Sequence, residues 1–178
     1  MRFAARVSRW ALAIAVVAGT SVSATSALGA SGAGAATGRV VKPAAPSGMQ
    51  ILAFEPLSGG SDQLIDLGDP GPSAGDTTLS RKPTIDPDTQ QSLGTDVTRV
   101  QVVEVLRRDV VVILDCTANL PDGAIMFYGA FRLSNPAPVF AVVGGNGAYT
   151  GVTGTVTTTA ETIGGEDGTL LTFDITLP

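Results

Sequence analysis

The sequence contains few side chains suited to nucleophilic or metal chemistry. Its 178 residues include no histidine and a single cysteine, Cys116. Without an imidazole there is no Ser-His-Asp arrangement, no histidine metal site and no base to generate a thiolate at Cys116. The lone thiol also lacks an internal disulfide partner. We therefore predict that Cys116 is a small buried side chain rather than a nucleophile.

Carboxylates are more plentiful, with 16 Asp and Glu residues. Some of them fall in turn-rich sequence, where they could be cation ligands: Asp62, Asp66, Asp69, Asp86 and Asp88. Their spacing does not match the ligand pattern of an EF-hand loop, so the favoured interpretation is solvated loop carboxylates. The sequence predicts neither a resident metal nor a cofactor.

Among the carboxylates, Glu104 is the one whose position in the strand alternation most favours a functional role. It shares a strand face with three apolar residues, Val100, Val102 and Leu106. A carboxylate on an apolar face that lines an enclosed interior has a raised pKa suited to acid–base work. The interpretation we favour for Glu104 is a position at the sheet edge or an ion pair with Arg107 or Arg108. Weaker candidates for an interior site on the strands are Tyr128, Asp115, Arg132 and Asp174.

The glycine-rich stretch FAVVGGNGAYTGVTGTVTTTA, residues 140–160, resembles a phosphate-binding loop only superficially. A Walker loop needs a lysine and a following helix, and a strand pattern follows here. The dinucleotide spacing fails as well, because the third glycine, Gly151, comes one residue late. Asn146-Gly147 between apolar runs is instead typical of a hairpin turn, and Gly154 indicates a bulge or a close approach by another chain segment.

The elements that would position these residues are short strands. Alternating or continuous apolar patterns predict about eight of them, at residues 49–55, 64–67, 92–106, 110–120, 124–133, 139–143, 152–161 and 171–177. Tight turns separate the later ones, as in RRD, LPDG and GGEDG, and no segment after the first thirty residues has the pattern of an amphipathic helix. Successive hairpins predict an antiparallel all-β meander, which must close into a barrel or pack as a sandwich to protect its edges.

The N-terminal segment predicts export. Arg2, Arg6 and Arg9 precede an apolar run at residues 10–18, followed by small residues with cleavage sequences between 24 and 35. The run is about half the length of a membrane-spanning helix, so residues 1–30 are predicted to be a signal peptide and not an anchor. Residues 31–48 resemble a flexible Ala/Gly/Pro linker, and residues 49–178 form the folded domain. The expected localisation is secreted.

The net charge of the exported chain excludes one class of binding partner. Removing residues 1–30 takes away three of the 11 basic residues and none of the 16 acidic ones, which leaves eight basic residues and a net charge of −8. Binding to nucleic acid needs a basic face for counterion release, so no nucleic-acid partner is predicted.

Residues 140–156 are similar to the VVGGTGxF…ARG signature of plant dirigent proteins and to the AVTGGSGxF…GxV segment of plant allene oxide cyclases. The segments DLGDPGPSAGDT, LGTDVTRV, CTANLPDGAIMFYGAF and LLTFDITL also recur in the order of secreted bacterial proteins described as allene oxide cyclase barrel-like. This resemblance covers about residues 49–178. It implies an eight-stranded antiparallel up-and-down β-barrel, commonly assembled as a trimer.

The resemblance also bears on function. Plant cyclases close a lipid epoxide in an apolar lumen, and dirigent proteins steer phenolic coupling, so both rely on orientation and local electrostatics. The chain departs from both patterns. No cysteine lies between Leu93-Gly94 and Cys116, where plant cyclases carry one, and none lies near Val97, where bacterial relatives carry a partner for the cysteine that matches Cys116. No catalytic residue is carried over.

Two functions from different classes follow. The first is a secreted barrel that binds a small apolar or phenolic molecule and steers its cyclisation or coupling, as an isomerase of the allene oxide cyclase type would. It predicts an apolar cavity of a few hundred Å³ with one or two acids at its base. The second is a non-catalytic extracellular interaction or structural protein, whose lumen is filled by Phe, Met and Leu side chains.

Overall fold

The computed structural model describes residues 48–68 and 70–178. This part of the chain is all-β and contains no helix, so none that could span a membrane. The nine strands are β1 (Gly48–Pro56), β2 (Ser61–Ile65), β3 (Thr77–Ile85), β4 (Ser92–Leu106), β5 (Asp109–Leu120), β6 (Gly123–Arg132), β7 (Val139–Gly147), β8 (Thr153–Ile163) and β9 (Glu166–Thr176). The expected signal peptide, the linker up to residue 47, and Asp69 lie outside the described residues.

The strands form one antiparallel sheet that closes on itself. Their order is β1-β9-β8-β7-β6-β5-β4-β3-β2, and β1 also pairs with β3 where Phe54 meets Ile85. Eight strands, β1 and β3 to β9, therefore make a closed barrel, and β2 is an additional strand that pairs with residues 77–81 of β3. Closure leaves few free strand edges, which is how a meander of this kind avoids edge-to-edge association. The predicted barrel class is confirmed.

Turn chemistry explains the tight hairpins. Two residues, Arg107 and Arg108, connect β4 to β5, and two more, Pro121 and Asp122, connect β5 to β6. Gly164 and Gly165 connect β8 to β9 with φ values of +64° and +84°, the positive pair that a two-residue hairpin with a right-handed twist requires. These three turns lie where the sequence predicts them.

Two expectations about the strands are corrected by the structure. β3 is missing from the predicted set. The hairpin turn expected at Asn146-Gly147 lies later, at residues 148–152, because β7 continues to Gly147 and pairs there with Gly123 of β6. The nearby Gly154 has a neighbour in close approach, the backbone of Asp174 on β9, and the β8–β9 register runs through it without a shift. The close approach is thus confirmed, and the bulge is not.

A bulge does occur on β4, where the register with β5 shifts between Val102 and Glu104. The neighbouring loop, described at residues 66–68 and 70–76, supports it. Val102 O accepts a hydrogen bond of 2.8 Å from Gly75 N, and Val102 N donates one of 2.8 Å to Asp76 O. The Asp76 side chain in turn accepts hydrogen bonds from the backbone nitrogens of Leu67 and Ser73 at 2.7 and 2.8 Å. The loop is therefore a well-bonded connection against the β4 edge.

The barrel interior is packed at one end. A core of buried side chains occupies the end where β5 finishes and β6 begins, and it includes Ala118, Leu120, Ile125, Tyr149, Val152 and Ile175. Tyr149 is 8% exposed and packs within this core. The opposite end of the lumen, near the start of β9 and the loop between β6 and β7, is the part that remains open.

Candidate functional site

A cavity of about 370 Å³ lies in the open half of the barrel. Its volume falls within the range of small-molecule sites. The lining divides into two walls, because strands β5 to β9 supply most of the apolar side chains and strands β1 to β4 supply the charged ones. The cavity therefore offers an apolar surface facing a polar one.

Phenylalanines dominate the apolar wall. Phe127, Phe131 and Phe140 line the cavity, and Leu114 and Leu171 lie beside them. The rings support each other: the Phe131 and Phe140 centroids are 5.4 Å apart in an edge-to-face arrangement, and those of Phe127 and Phe140 are 5.8 Å apart. Aromatic pairs at these separations are mutually stabilising and hold each ring in a defined orientation. The wall is thus a firm aromatic surface.

The polar wall contains three charged side chains, Glu55, Asp62 and Lys82. The Lys82 Nζ forms an ion pair with the Asp62 Oδ2 at 2.8 Å, with both side chains less than one-third exposed. This pair joins the additional strand β2 to β3. Hydroxyl groups complete the wall, from Thr78, Ser80, Thr98 and Thr169. This wall is therefore the hydrogen-bonding side of the cavity.

A buried acid lies behind the lining. Asp96 of β4 is 1% exposed, and its Oδ2 is 3.8 Å from the Cys116 Sγ, which itself lines the cavity. The Thr98 Oγ1 donates a hydrogen bond of 3.1 Å to the same sulfur. The Asp96 Oδ1 has no hydrogen-bond partner among the described protein atoms. Asp96, Cys116 and Glu55 therefore form a polar cluster between the filled and open halves of the lumen.

The chemistry of this cluster follows from its burial. Burial raises the pKa of Asp96 well above the usual value, and the nearby carboxyl group of Glu55 raises that pKa further. Burial also raises the pKa of the Cys116 thiol, with Asp96 adding to the effect. Cys116 is thus a buried neutral thiol, as predicted. The raised pKa makes Asp96 the candidate proton donor of this cluster, and Glu55 and Cys116 are its members that line the cavity.

The site candidates chosen from sequence lie elsewhere. Glu104 is exposed, because the bulge after Val102 reverses the alternation and turns its side chain outward. Asp115 is on the outer wall in an ion pair with Arg99 at 2.8 Å, and Tyr128 lies opposite Asp115 and is 44% exposed. Arg132 is exposed at the end of β6, and Asp174 is exposed and accepts a hydrogen bond from Gln50. None of the five lines the cavity.

The alternation rule that was applied to Glu104 also applies to the two acids at the cavity, Asp96 and Glu55. Asp96 alternates with Thr98, Val100 and Val102, and it precedes the bulge, so the face assigned to Glu104 belongs to Asp96 instead. Glu55 alternates with Ile51 and Ala53, which pack against the core. The feature of this strand that the alternation rule does not predict is the bulge between Val102 and Glu104.

Two acids of the turn-rich sequence, Asp86 and Asp62, have local structural roles. Asp86 Oδ1 accepts hydrogen bonds from the backbone nitrogens of Asp88 and Thr89 at 2.9 and 2.8 Å, closing the turn after β3. Asp62 belongs to β2 and to the cavity wall. Across residues 48–68 and 70–178, no cluster of three or more His, Cys, Asp or Glu side chains is arranged to hold a metal ion.

The fold and the cavity define an antiparallel β-barrel with a ligand-sized, half-open lumen. Solved structures with this architecture include dirigent proteins, Diels-Alderases and cyclases, which confirms the predicted resemblance at the level of the fold. No protein-family model matches the sequence. A search of curated proteins also finds no match.

Three of the similar structures show the kinds of protein that share this fold. A pyocyanin demethylase matches with a TM-score of 0.61 and 18% identity, over 73% of this chain and 100% of the other. The Diels-Alderase AbmU from Streptomyces koyangensis matches with a TM-score of 0.56 and 12% identity, over 75% and 70%. The pterocarpan synthase dirigent protein GePTS1 matches with a TM-score of 0.53 and 14% identity, over 72% and 84%. At these identities the likeness concerns the fold alone.

The buried acid should be visible in the pH dependence of stability. Because the pKa of Asp96 is raised in the folded state, the stabilisation linked to its protonation is complete below its unfolded pKa of about 3.8 and is lost as the pH rises through the folded pKa. An Asp96→Asn variant lacks this loss. Its melting temperature should therefore fall less than that of the wild type between pH 4 and pH 9, as measured by circular dichroism.

Asp76 provides a control of opposite sign. Its burial alone would raise its pKa, but the hydrogen bonds from Leu67 and Ser73 outweigh that effect and lower the pKa. Asp76→Asn should therefore lower the free energy of unfolding by about 2 kcal/mol at pH 7, as expected for hydrogen bonds to a charged acceptor. This loss of stability should become smaller as the pH falls through the pKa of Asp76 in the folded protein. For Asp96, the contradicting result would be a melting temperature that depends on pH in the same way in Asp96→Asn as in the wild type.

Proposed function

We propose that this protein is a secreted β-barrel that binds a small apolar or aromatic molecule in the open half of its lumen. The observation that carries the proposal is the cavity of about 370 Å³ with an aromatic wall on one side and polar groups on the other. Such a combination, mostly apolar with a few fixed polar groups, is typical of small-molecule sites. Export rests on residues 1–30, and homo-oligomerisation rests on the family resemblance.

A second candidate function, steering of a cyclisation or coupling reaction, is favoured by the acid pair. Asp96, whose pKa burial raises, lies beside Glu55, and Glu55 lines the cavity. A ligand held against the phenylalanine wall would present one edge to Glu55, which could accept a proton from it or relay a proton from Asp96. Structures of the same fold include a cyclase and Diels-Alderases, which is consistent with this role. The alternative, an extracellular interaction or structural protein without an internal ligand, requires a filled lumen.

Ligand binding can be tested by closing the mouth of the cavity. Ala160 is exposed and lines the cavity at the end of β8, so Ala160→Trp should block entry without disturbing the core. The adjacent Glu161 is also exposed but does not line the cavity, which makes Glu161→Trp a matched control. We expect the neutral fluorescent probe N-phenyl-1-naphthylamine to bind the wild type and Glu161→Trp. Its affinity for Ala160→Trp should be reduced by at least about tenfold, a loss of 1.4 kcal/mol.

The ligand class follows from competition. A phenolic alcohol and a fatty-acid epoxide should each be tested for displacement of the probe and for a rise in melting temperature. The proposal is overturned if neither the probe nor any competitor binds, or if Ala160→Trp binds the probe as well as Glu161→Trp does. Turnover of a bound competitor that is lost in Glu55→Gln would support the second candidate function.

A further inference from the structure

The charges of the cavity wall differ in whether they have a partner. Lys82 is neutralised by Asp62, since their charged atoms are 2.8 Å apart. Glu55 has no cationic side chain within 4 Å among the described residues. Its only charged or titratable neighbours in the cluster are Asp96 and Cys116, neither of which is a cation, and burial raises the pKa of both. The lumen therefore has one carboxylate without a counter-ion.

A ligand with a carboxylate would fit this wall badly. It would find Lys82 already paired with Asp62, and binding there would place a third carboxylate beside Glu55 and Asp62. Like charges in an enclosed site repel strongly, because little water is present to screen them. A positively charged ligand meets the opposite situation, since it supplies the counter-ion that Glu55 lacks.

The opposite wall favours the same kind of ligand. Phe127, Phe131 and Phe140 present aromatic rings, whose electron-rich faces attract cations. A cation spread over a planar ring system loses less hydration on entering an apolar site than a compact ammonium does. It can also pack on the rings as a neutral aromatic would. The long-range field acts in the same direction, because residues 48–178 contain six basic and 16 acidic side chains.

From these observations we infer that the lumen selects planar aromatic cations, with the Glu55 carboxylate as their counter-ion, over neutral and anionic aromatics of the same size. This inference rests on the proposed function, because it concerns the ligand of the same cavity. It names a charge class that the resemblance to lipid-epoxide cyclases and phenol-coupling proteins does not imply.

Three acridines of equal ring size test the inference. At pH 8, 10-methylacridinium is a cation, acridine is uncharged, and acridine-9-carboxylate is an anion. Their dissociation constants are measured by fluorescence titration and by displacement of N-phenyl-1-naphthylamine. We expect the cation to bind about tenfold more tightly than acridine, and the anion to bind at least about tenfold more weakly, each step corresponding to 1.4 kcal/mol.

The variants identify the responsible group. Glu55→Gln should bring the cation and neutral affinities within about threefold of each other, less than 1 kcal/mol. Asp62→Asn should weaken the cation and strengthen the anion, because it releases the charge of Lys82. Glu161→Gln removes one negative charge from outside the cavity and should leave the wild-type order unchanged. If Glu55→Gln does not fold, the Asp62→Asn result alone decides whether the wall charges control selection.

The outcomes separate the two proposals. If the neutral probe binds but the three acridines bind equally well, or if Glu55→Gln keeps the preference for the cation, the inference is wrong and the proposed function stands. If none of the acridines binds and the neutral probe does not bind either, the proposed function itself is wrong. A cation preference that Glu161→Gln also removes would assign the effect to net charge and would overturn the role of Glu55.

Discussion

Phe127→Ala should destabilise the barrel by about 3 to 5 kcal/mol, the range measured when a buried phenylalanine is truncated in a core. Phe127 is 2% exposed and lies at the centre of the aromatic contacts, with ring centroids 5.8 Å from Phe140 and 5.9 Å from Phe173. Truncation removes both contacts and extends the existing cavity into the core. For a domain of this size we expect the melting temperature to fall by roughly 10 to 20 °C, measured by calorimetry.

Tyr128 gives a control on the same strand. It follows Phe127, points to the outer wall and is 44% exposed, so Tyr128→Ala should cost less than about 1 kcal/mol. Phe127→Leu, which keeps most of the volume, should fall between the two. Equal losses for Phe127→Ala and Tyr128→Ala would mean that the inward face of β6 does not support the barrel as described.

Gly154→Ala should have a comparably large effect for a different reason. Gly154 has φ +143°, a conformation that residues with a side chain rarely adopt, and a Cβ there would overlap the carbonyl oxygen of Asp174 and lie 2.8 Å from the Cα of Ile175. Both contacts are with backbone of β9, so neither can move without opening the sheet. We expect a loss of about 3 kcal/mol or more, from backbone strain and overpacking together. Denaturant unfolding measures it.

Two other glycines separate these contributions. Gly165 has φ +84° but nothing within 4 Å of a Cβ, so Gly165→Ala reports the cost of the backbone conformation alone, about 1 kcal/mol. Gly48 has neither constraint, and Gly48→Ala should be close to neutral. A Gly154→Ala loss no greater than that of Gly165→Ala would refute the close packing of β8 against β9.

Strands whose inner face is apolar could be predicted from the sequence, and β3 shows why one strand could not. Its inward residues, Thr78, Ser80 and Lys82, line the polar wall of the cavity, so the strand has no hydrophobic alternation to detect. Pro83 also argues against a strand. It is tolerated here because β2 pairs with β3 only as far as Arg81 and β1 pairs only at Ile85, which leaves that edge free at the proline. The polar lining of the cavity thus removes the apolar alternation by which this strand would be recognised.

The candidate site was harder to predict because it depends on register. The alternation rule places Asp96 and Glu104 on one face, but only a continuous ladder would keep them there. The bulge depends on hydrogen bonds between Val102 and the loop at Gly75 and Asp76, which are more than 25 residues away in sequence. Local patterns contain no information about such contacts. The neutral state of Cys116, by contrast, followed from composition alone.

The bulge on β4 has a consequence for how barrels of this kind acquire new chemistry. Beyond Val103 the strand's inner and outer faces are exchanged, so a single inserted or deleted residue decides whether an acid such as Glu104 faces solvent or the lumen. Changes in strand length can therefore replace an entire set of interior side chains in one step, while the closed sheet and its outer contacts are preserved. Comparisons of related barrels by residue identity alone would miss such exchanges, whereas comparisons by strand register would reveal them.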